Sequence, residues 1–215
     1  WKVGDMDEHI AIEAPRLEVP NRELSKARMK VGRAAWASRS YRDFSRQSVL
    51  KIADAIAEAG FARAKKFAAD AVEETGYGVV EHKTIKNKLC THDLLDYYRD
   101  LDLVTPRVDE VKKIVELPKP AGVVFALTPA TNPVATIYYK AMLAVLSRNA
   151  IVISPHPAAK KVSNEAVQHL ASAAEAAGAP SGLIQCVEEP SISLVQDIMA
   201  SDRVNVIIAT GGSAM

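Results

Sequence analysis

Residues 120–157, PAGVVFALTPATNPVATIYYKAMLAVLSRNAIVISPHP, constrain the fold more than any other stretch of the chain. Gly122 to Leu127 is a continuous apolar run and Ala150 to Ser154 is another, the pattern of strands buried on both faces of a parallel sheet. Between them Val134, Ile137, Tyr138, Ala141 and Val145 recur at i, i+3, i+4, i+7 and i+11, which sets one apolar stripe on a helix. Two such strands joined through a helix make a β-α-β crossover, the connection that parallel pairing requires. The polar turn Thr128-Pro129-Ala130-Thr131-Asn132-Pro133 then falls at the carboxyl end of a strand and the amino end of a helix. Open α/β sheets hold their ligands at such ends.

The pattern repeats downstream. Val162, Ala166, Leu170, Ala173 and Ala177 make a second amphipathic helix closed by Gly178 and Pro180, and Gly182 to Val187 makes a third strand. Ser191 is placed to cap a helix that buries Val195, Ile198 and Met199, and Val204 to Ala209 supplies a fourth strand. This alternation predicts an α/β fold with a doubly wound, Rossmann-like parallel sheet over residues 120–215. Thr210-Gly211-Gly212 again sits at a strand's carboxyl end, where glycine lets backbone amides approach a bound group. A sheet ending on a strand and a glycine turn reads as truncated, a piece of a longer protein, because a covering helix should follow.

Upstream, residues 1–20 carry Pro15 and Pro20 without a sustained period and read as a lead-in arm. Residues 21–119 read as amino-terminal helices and a connecting arm. Val49, Ile52 and Ile56 line one helix until Gly60, then Phe61, Ala64, Phe67 or Ala68, and Ala71 line a second until Gly76 and Gly78. Cys90, Leu94, Tyr97 and Leu101 share a further stripe, which makes Cys90 a core residue rather than a reactive thiol. Pro106 ends that helix, and Val111 to Leu117 alternates as an edge strand or hairpin arm.

A formal net charge of +1 asks for no polyanionic partner, and no apolar run is long enough for a bilayer, so neither nucleic acid nor a membrane is expected as a partner. Two isolated cysteines, Cys90 and Cys186, make neither a disulfide framework nor a zinc site, which suits the cytoplasm. His9, His82, His92 and His169 show no metal-ligating spacing and read as surface residues; no metal is expected. Arg22, Lys26, Arg28, Lys30 and Arg33 read as a solvated helix face before a phosphate approach site. Asn132-Pro133 on its own is a helix start, Asn capping and Pro at the first helical position. His156 is equally a ribose or phosphate contact and a plain loop residue.

Four stretches go further. They are Glu74-Thr-Gly-Tyr-Gly-Val-Val-Glu81 running into Lys83-Thr-Ile-Lys-Asn87; Leu127-Thr-Pro-Ala-Thr-Asn-Pro133; Arg148-Asn-Ala-Ile-Val-Ile-Ser-Pro-His-Pro157 with Ala159-Lys160; and Ile208-Ala-Thr-Gly-Gly212. In order and spacing, from about Asn21 to Met215, the chain resembles the amino-terminal half of the aldehyde dehydrogenase superfamily, and within it the coenzyme A-acylating branch.

The resemblance implies oxidation of a small aldehyde through a cysteine thioester, hydride passing to NAD or NADP and coenzyme A taking the acyl group. It implies that Asn132 holds the oxyanion of the tetrahedral intermediate. Thr128, Pro129, Ala130 and Thr131 match the turn beside the cofactor's phosphates and nicotinamide ribose, Ser154, Pro155, His156 and Pro157 the loop at the adenosine ribose, and Thr210, Gly211 and Gly212 the turn near the pyrophosphate. Ser154 stands where hydrolytic members carry Lys, and Pro157 where NAD-preferring members carry Glu. These departures suit the acylating branch and leave NAD against NADP open. No cysteine here matches the family's nucleophile, which would lie beyond Met215, so the fragment alone is expected to be inactive. Rival readings are a hydrolytic member releasing the free acid and a non-catalytic nucleotide-binding or assembly module. Family analogy further implies a homo-oligomer paired through an arm like Val111 to Leu117, and residence in the cytoplasm or inside a bacterial microcompartment.

Overall fold

The computed structural model describes residues 22–212. The lead-in arm expected over residues 1–20, with His9, lies outside the described residues, as do residues 213–215.

A parallel four-stranded sheet forms from β3 (Val123–Thr128), β4 (Ala150–Pro155), β5 (Ile184–Cys186) and β6 (Val206–Ala209), in the order β5-β4-β3-β6. From β3 the chain steps outward through β4 to β5 and then returns to the far side of β3. Connections therefore diverge between β3 and β6, which is the topological switch point of the sheet. The amino ends are tied by asparagines: Asn149 Oδ1 accepts the Gly122 N–H and Asn205 Oδ1 the Val123 N–H, each at 2.8 Å.

Helices α5 (Pro133–Leu146) and α6 (Lys160–Ala176) pack on β3, β4 and β5, with α2 (Arg46–Thr75) laid over both. Helix α1 (Arg22–Tyr41) packs across β3, β4 and β5 and against α7 (Ile192–Met199). Every residue of β4 is buried, as a strand covered on both faces must be. The edge strand β6 is different: Ile207 and Ile208 remain 44% and 38% exposed. The doubly wound α/β class expected from the sequence is the observed one, preceded by its helical layer.

Four local expectations are corrected, the first being Met199, which is 41% exposed instead of lying on the buried face of α7. Gly60 ends no helix; α2 runs unbroken for 30 residues to a left-handed cap at Gly76, whose N–H reaches Val72 O. Gly60 is a packing glycine instead, pressed against Tyr138 and Thr91. The stripe through Cys90, Leu94, Tyr97 and Leu101 also fails, since Tyr97 is 78% exposed and the buried members are Thr91 and Leu95. Between α3 (Val80–Lys88) and α4 (Leu94–Arg99) the helix widens into a π turn over Leu89–Asp93, and the extra residue shifts the phase of the apolar face. His169, expected at the surface, is half-buried with Nε2 3.1 Å from Ala59 O and its ring edge-on to Phe67.

The connecting arm is the expected hairpin, β1 (Arg107–Asp109) paired antiparallel with β2 (Ile114–Glu116). It stands off the body, with Val111 at its tip 93% exposed.

Candidate active site at the switch point

Two crevices open at the carboxyl ends of β3 and β6. The first, about 620 Å³, is lined by Tyr77 from the α2–α3 turn, Pro129, Ala130 and Thr131 after β3, His156 and Ala158 after β4, and Thr210, Gly211 and Gly212 after β6. The second, about 510 Å³, is lined by Lys86, Leu89, Cys90, Asn132, Ala135, Thr136, Tyr139, Lys140, Ile208 and Thr210. Thr210 lines both, so the crevices meet at the turn that β6 feeds. Both are of the size that holds a small-molecule ligand.

Most of the residues singled out from the sequence converge here. Pro129, Ala130, Thr131, His156, Thr210, Gly211 and Gly212 form the wall of the first crevice, and Asn132 enters the second. Thr128, Ser154 and Pro155 lie one layer lower as buried strand ends, and Pro157 opens an exposed 3-10 turn beside the crevice. The Thr128 hydroxyl is fully buried and has no hydrogen-bond partner among the described residues.

Local geometry explains each placement. Asn132 has φ −140° and ψ 64° and precedes Pro133 at the first position of α5. Its carbonyl accepts from Thr136 N at 3.3 Å and Thr136 Oγ1 at 2.7 Å, while its side chain makes no capping bond. The cap reading of Asn132 therefore describes the backbone only, and the side-chain amide is uncommitted to the helix. His156 Nδ1 accepts the Ala158 N–H at 3.1 Å, so the neutral ring carries its proton on Nε2. Its backbone N–H reaches Thr128 O at 3.0 Å and locks the two strand ends together. The start of α6 is closed by Glu74, whose carboxylate accepts Lys161 N at 2.9 Å and Val162 N at 2.8 Å.

Sequence reasoning missed the lysines. Lys140 is 3% exposed, and its ammonium donates to Leu127 O at 2.7 Å and Ile208 O at 3.0 Å, bridging β3 and β6 where the ladder opens. Burial lowers it to about 8. Lys83 is also buried, donates to Thr131 O at 2.5 Å and is lowered first by desolvation and then by nearby Lys86. Among the described residues neither pairs with a carboxylate, and no acidic side chain lines either crevice. The available signal was Lys140 standing as the one charged residue of α5, in a stretch otherwise built for burial.

The two thiols are poor nucleophiles as placed. Burial pushes Cys186 up to about 12 and raises Cys90 as well. On the basic face of α1, Lys26 pairs with Glu23 and Lys30 with Glu188, while Arg33 keeps its charge and donates to Ser181 Oγ.

Residues 11–215 match the model of the aldehyde dehydrogenase family. The bifunctional aldehyde-alcohol dehydrogenase of Escherichia coli is 36% identical over 186 residues, covering 86% of this chain and 21% of that protein. Among solved structures, an acetylating aldehyde dehydrogenase from Geobacillus thermoglucosidasius superposes with a TM-score of 0.87 at 38% identity, covering 89% of this chain and 43% of that one. The propionaldehyde dehydrogenase of Rhodopseudomonas palustris, solved with bound CoA and an acylated cysteine, gives a TM-score of 0.77 at 32% identity, covering 87% and 43%. The chain thus spans less than half the length of the proteins it matches, and it belongs to the aldehyde dehydrogenase family.

Proposed function

We propose that the complete polypeptide is an acylating aldehyde dehydrogenase that converts a small aldehyde, coenzyme A and NAD or NADP into an acyl-CoA and NAD(P)H, and that this chain carries its cofactor site and oxyanion donor. One observation carries the reading: at the switch point, a crevice of about 620 Å³ walled by Pro129–Thr131 and Thr210–Gly212 abuts a second crevice into which Asn132 presents an amide free of the helix cap. The acid-free walls suit a pyrophosphate, and the glycine turn admits one closely: among the described residues nothing lies within 4 Å of the position a Cβ would take on Gly212.

Bound in the first crevice, the dinucleotide supplies the hydride acceptor. In this reading His156 offers Nε2–H to the adenosine ribose, and Thr131 with Thr210 frames the nicotinamide end. A cysteine thiolate from outside this chain attacks the aldehyde carbonyl; Asn132 donates its Nδ2–H to the oxygen that becomes negative, and Lys140 supplies positive potential behind it. After hydride departure the carbonyl re-forms as a thioester, and the thiolate of coenzyme A displaces the enzyme sulfur. Two free cysteines in the described structure are compatible with a reducing cytoplasm, and the protruding β1–β2 arm with pairing between copies.

The test is a steady-state assay of the complete polypeptide, following absorbance of NAD(P)H and analysing product by mass. Reduction that depends on both aldehyde and coenzyme A, with acyl-CoA formed, is expected. Free acid formed without coenzyme A would assign the hydrolytic chemistry instead, and no reduction with any short aldehyde would sink the enzyme reading.

A further inference from the structure

We infer that Lys83 and Lys86, three residues apart on α3, are positioning residues that brace the turn carrying Asn132 and fix which end of its amide faces the reacting carbonyl. This rests on the oxyanion role proposed above and adds residues that the cofactor and oxyanion assignments leave unused.

Lys83 is a long cationic side chain in a place where burial is costly, and the structure has arranged its surroundings to keep it there. Its Nζ donates to Thr131 O at 2.5 Å, and no carboxylate neutralises it among the described residues. Gly78 sits beneath its stem with φ +83°, and a Cβ there would stand 2.9 Å from Lys83 Cε. The Gly-Tyr-Gly turn after α2 therefore opens the groove along which Lys83 reaches across to the β3 turn. Helix α3 is held in register by Asn87, 2% exposed, whose Nδ2 donates to Ala64 O at 3.0 Å. A buried ammonium on a lone carbonyl is a poor stability device, since desolvation disfavours its charge. It is an effective way to fix a peptide. The Thr131–Asn132 unit is planar, so pinning its oxygen also fixes the direction of the Asn132 N–H and the root of its side chain.

Lys86 acts on the side chain itself. Its Nζ lies 3.5 Å from Asn132 Oδ1, and an ammonium has only donors, so the amide oxygen is the end turned toward it. Asn132 Nδ2 is then left on the other side with no protein acceptor among the described residues. An amide free to flip would present oxygen to a developing oxyanion half the time; Lys86 biases it toward the donor, which is the pre-organisation that oxyanion stabilisation needs. Both residues work through Asn132: Lys83 from behind the turn, and Lys86 from the wall of the same crevice that Asn132 enters.

The experiment uses the complete polypeptide with Lys83→Met, Lys86→Met, Lys86→Arg and Asn132→Ala, alone and combined. Expected results are a fall in kcat of about 10-fold for Lys86→Met and about 10- to 100-fold for Lys83→Met, with cofactor Kd, read by fluorescence, changed less than threefold. Lys86→Arg should recover most of the loss. In the Asn132→Ala background both lysine effects should vanish, because nothing is left to position. Lysine and asparagine effects that simply multiply, or a matching loss of cofactor affinity, would overturn the brace. If Asn132→Ala itself leaves kcat unchanged, the oxyanion role fails and the brace is judged separately by NMR. The two Asn132 Nδ2 protons should then be widely separated in the wild type and collapse together in Lys86→Met. Identical spectra would dismiss the contact whatever the enzyme does.

Discussion

The ring of Tyr138 lies on the bare backbone of Gly60: a Cβ added there would stand 3.0 Å from Tyr138 Cε2 and 2.9 Å from Thr91 Cγ2. This contact joins α2, the π turn and α5. Gly60→Ala sets two effects against each other. Alanine gains up to about 1 kcal/mol of helix propensity, whereas overpacking a closed core costs about 1–3 kcal/mol. Tyr138 is 2% exposed and Thr91 is β-branched, so neither gives way easily. Gly60→Ala should be net destabilising by about 1–2 kcal/mol, read as a lower urea midpoint with an unchanged slope.

Gly60 also shows where the sequence was legible and where it was not. A glycine past an apolar run reads locally as a helix stop, and only the partner helix, 78 residues further on, reveals that it is a contact point. The strands and crossover helices around residues 120–209 were readable because near-continuous apolar runs bounded by Pro and Gly have few alternatives. Pro129, Ala130, Thr131, His156 and Thr210–Gly212 were readable as a group, since topology carries strand ends to one edge wherever the side chains point. Lys83 and Lys140 were not. A buried lysine whose partners are backbone carbonyls leaves no residue-pair signature in the chain, and the π turn at Leu89–Asp93 shifts the helical phase without any Pro or Gly to mark it.

Asn132→Ala separates the cap from the oxyanion donor. A side chain that caps a helix contributes about 1 kcal/mol, but the amide of Asn132 makes no capping bond. The substitution should therefore leave the thermal midpoint within a degree or two while depressing kcat of the complete polypeptide by about 10²-fold or more. Cofactor affinity should hold. A large loss of stability with an equal loss of cofactor binding would return Asn132 to a structural role.

Glu74 should behave in the opposite way. Its two oxygens close the amino end of α6 by accepting Lys161 N and Val162 N, a charge-assisted pair that also complements the helix dipole. Glu74→Ala strands two N–H groups and should cost about 1–2 kcal/mol; Glu74→Gln, keeping one acceptor, should cost about half of that. The measurement is chemical unfolding at low and high salt, and the loss should shrink as salt rises. Equal stability of Glu74→Ala and the wild type would mean that water replaces the carboxylate at this helix end.

Lys140 makes the stability of the fold depend on alkaline pH in a direction set by its environment. Burial lowers its pKa from the ordinary 10.5 to about 8. An unfolded chain keeps that proton until the ordinary value, so between pH 8 and 10.5 the unfolded state binds more protons than the folded one. Folding stability gains from this residue as pH rises through that window, by at most about 1.4 kcal/mol per pH unit. Below pH 8 both states are protonated and the full cost of burying the ammonium is carried. Other lysines and tyrosines titrate over the same range, so the comparison is with Lys140→Met, which keeps the apolar stem and lacks the ionisable head. Urea unfolding at pH 7.5, 8.5 and 9.5 should show the wild type improving relative to the variant at each step. The absolute level of the variant is a separate matter, because Leu127 O and Ile208 O lose the Lys140 ammonium in it, Leu127 O keeping only the Thr210 N–H at 3.3 Å. A difference that stays flat across the three values would mean that the two carbonyls hold Lys140 charged throughout, and its titration would then lie outside the working range of the site.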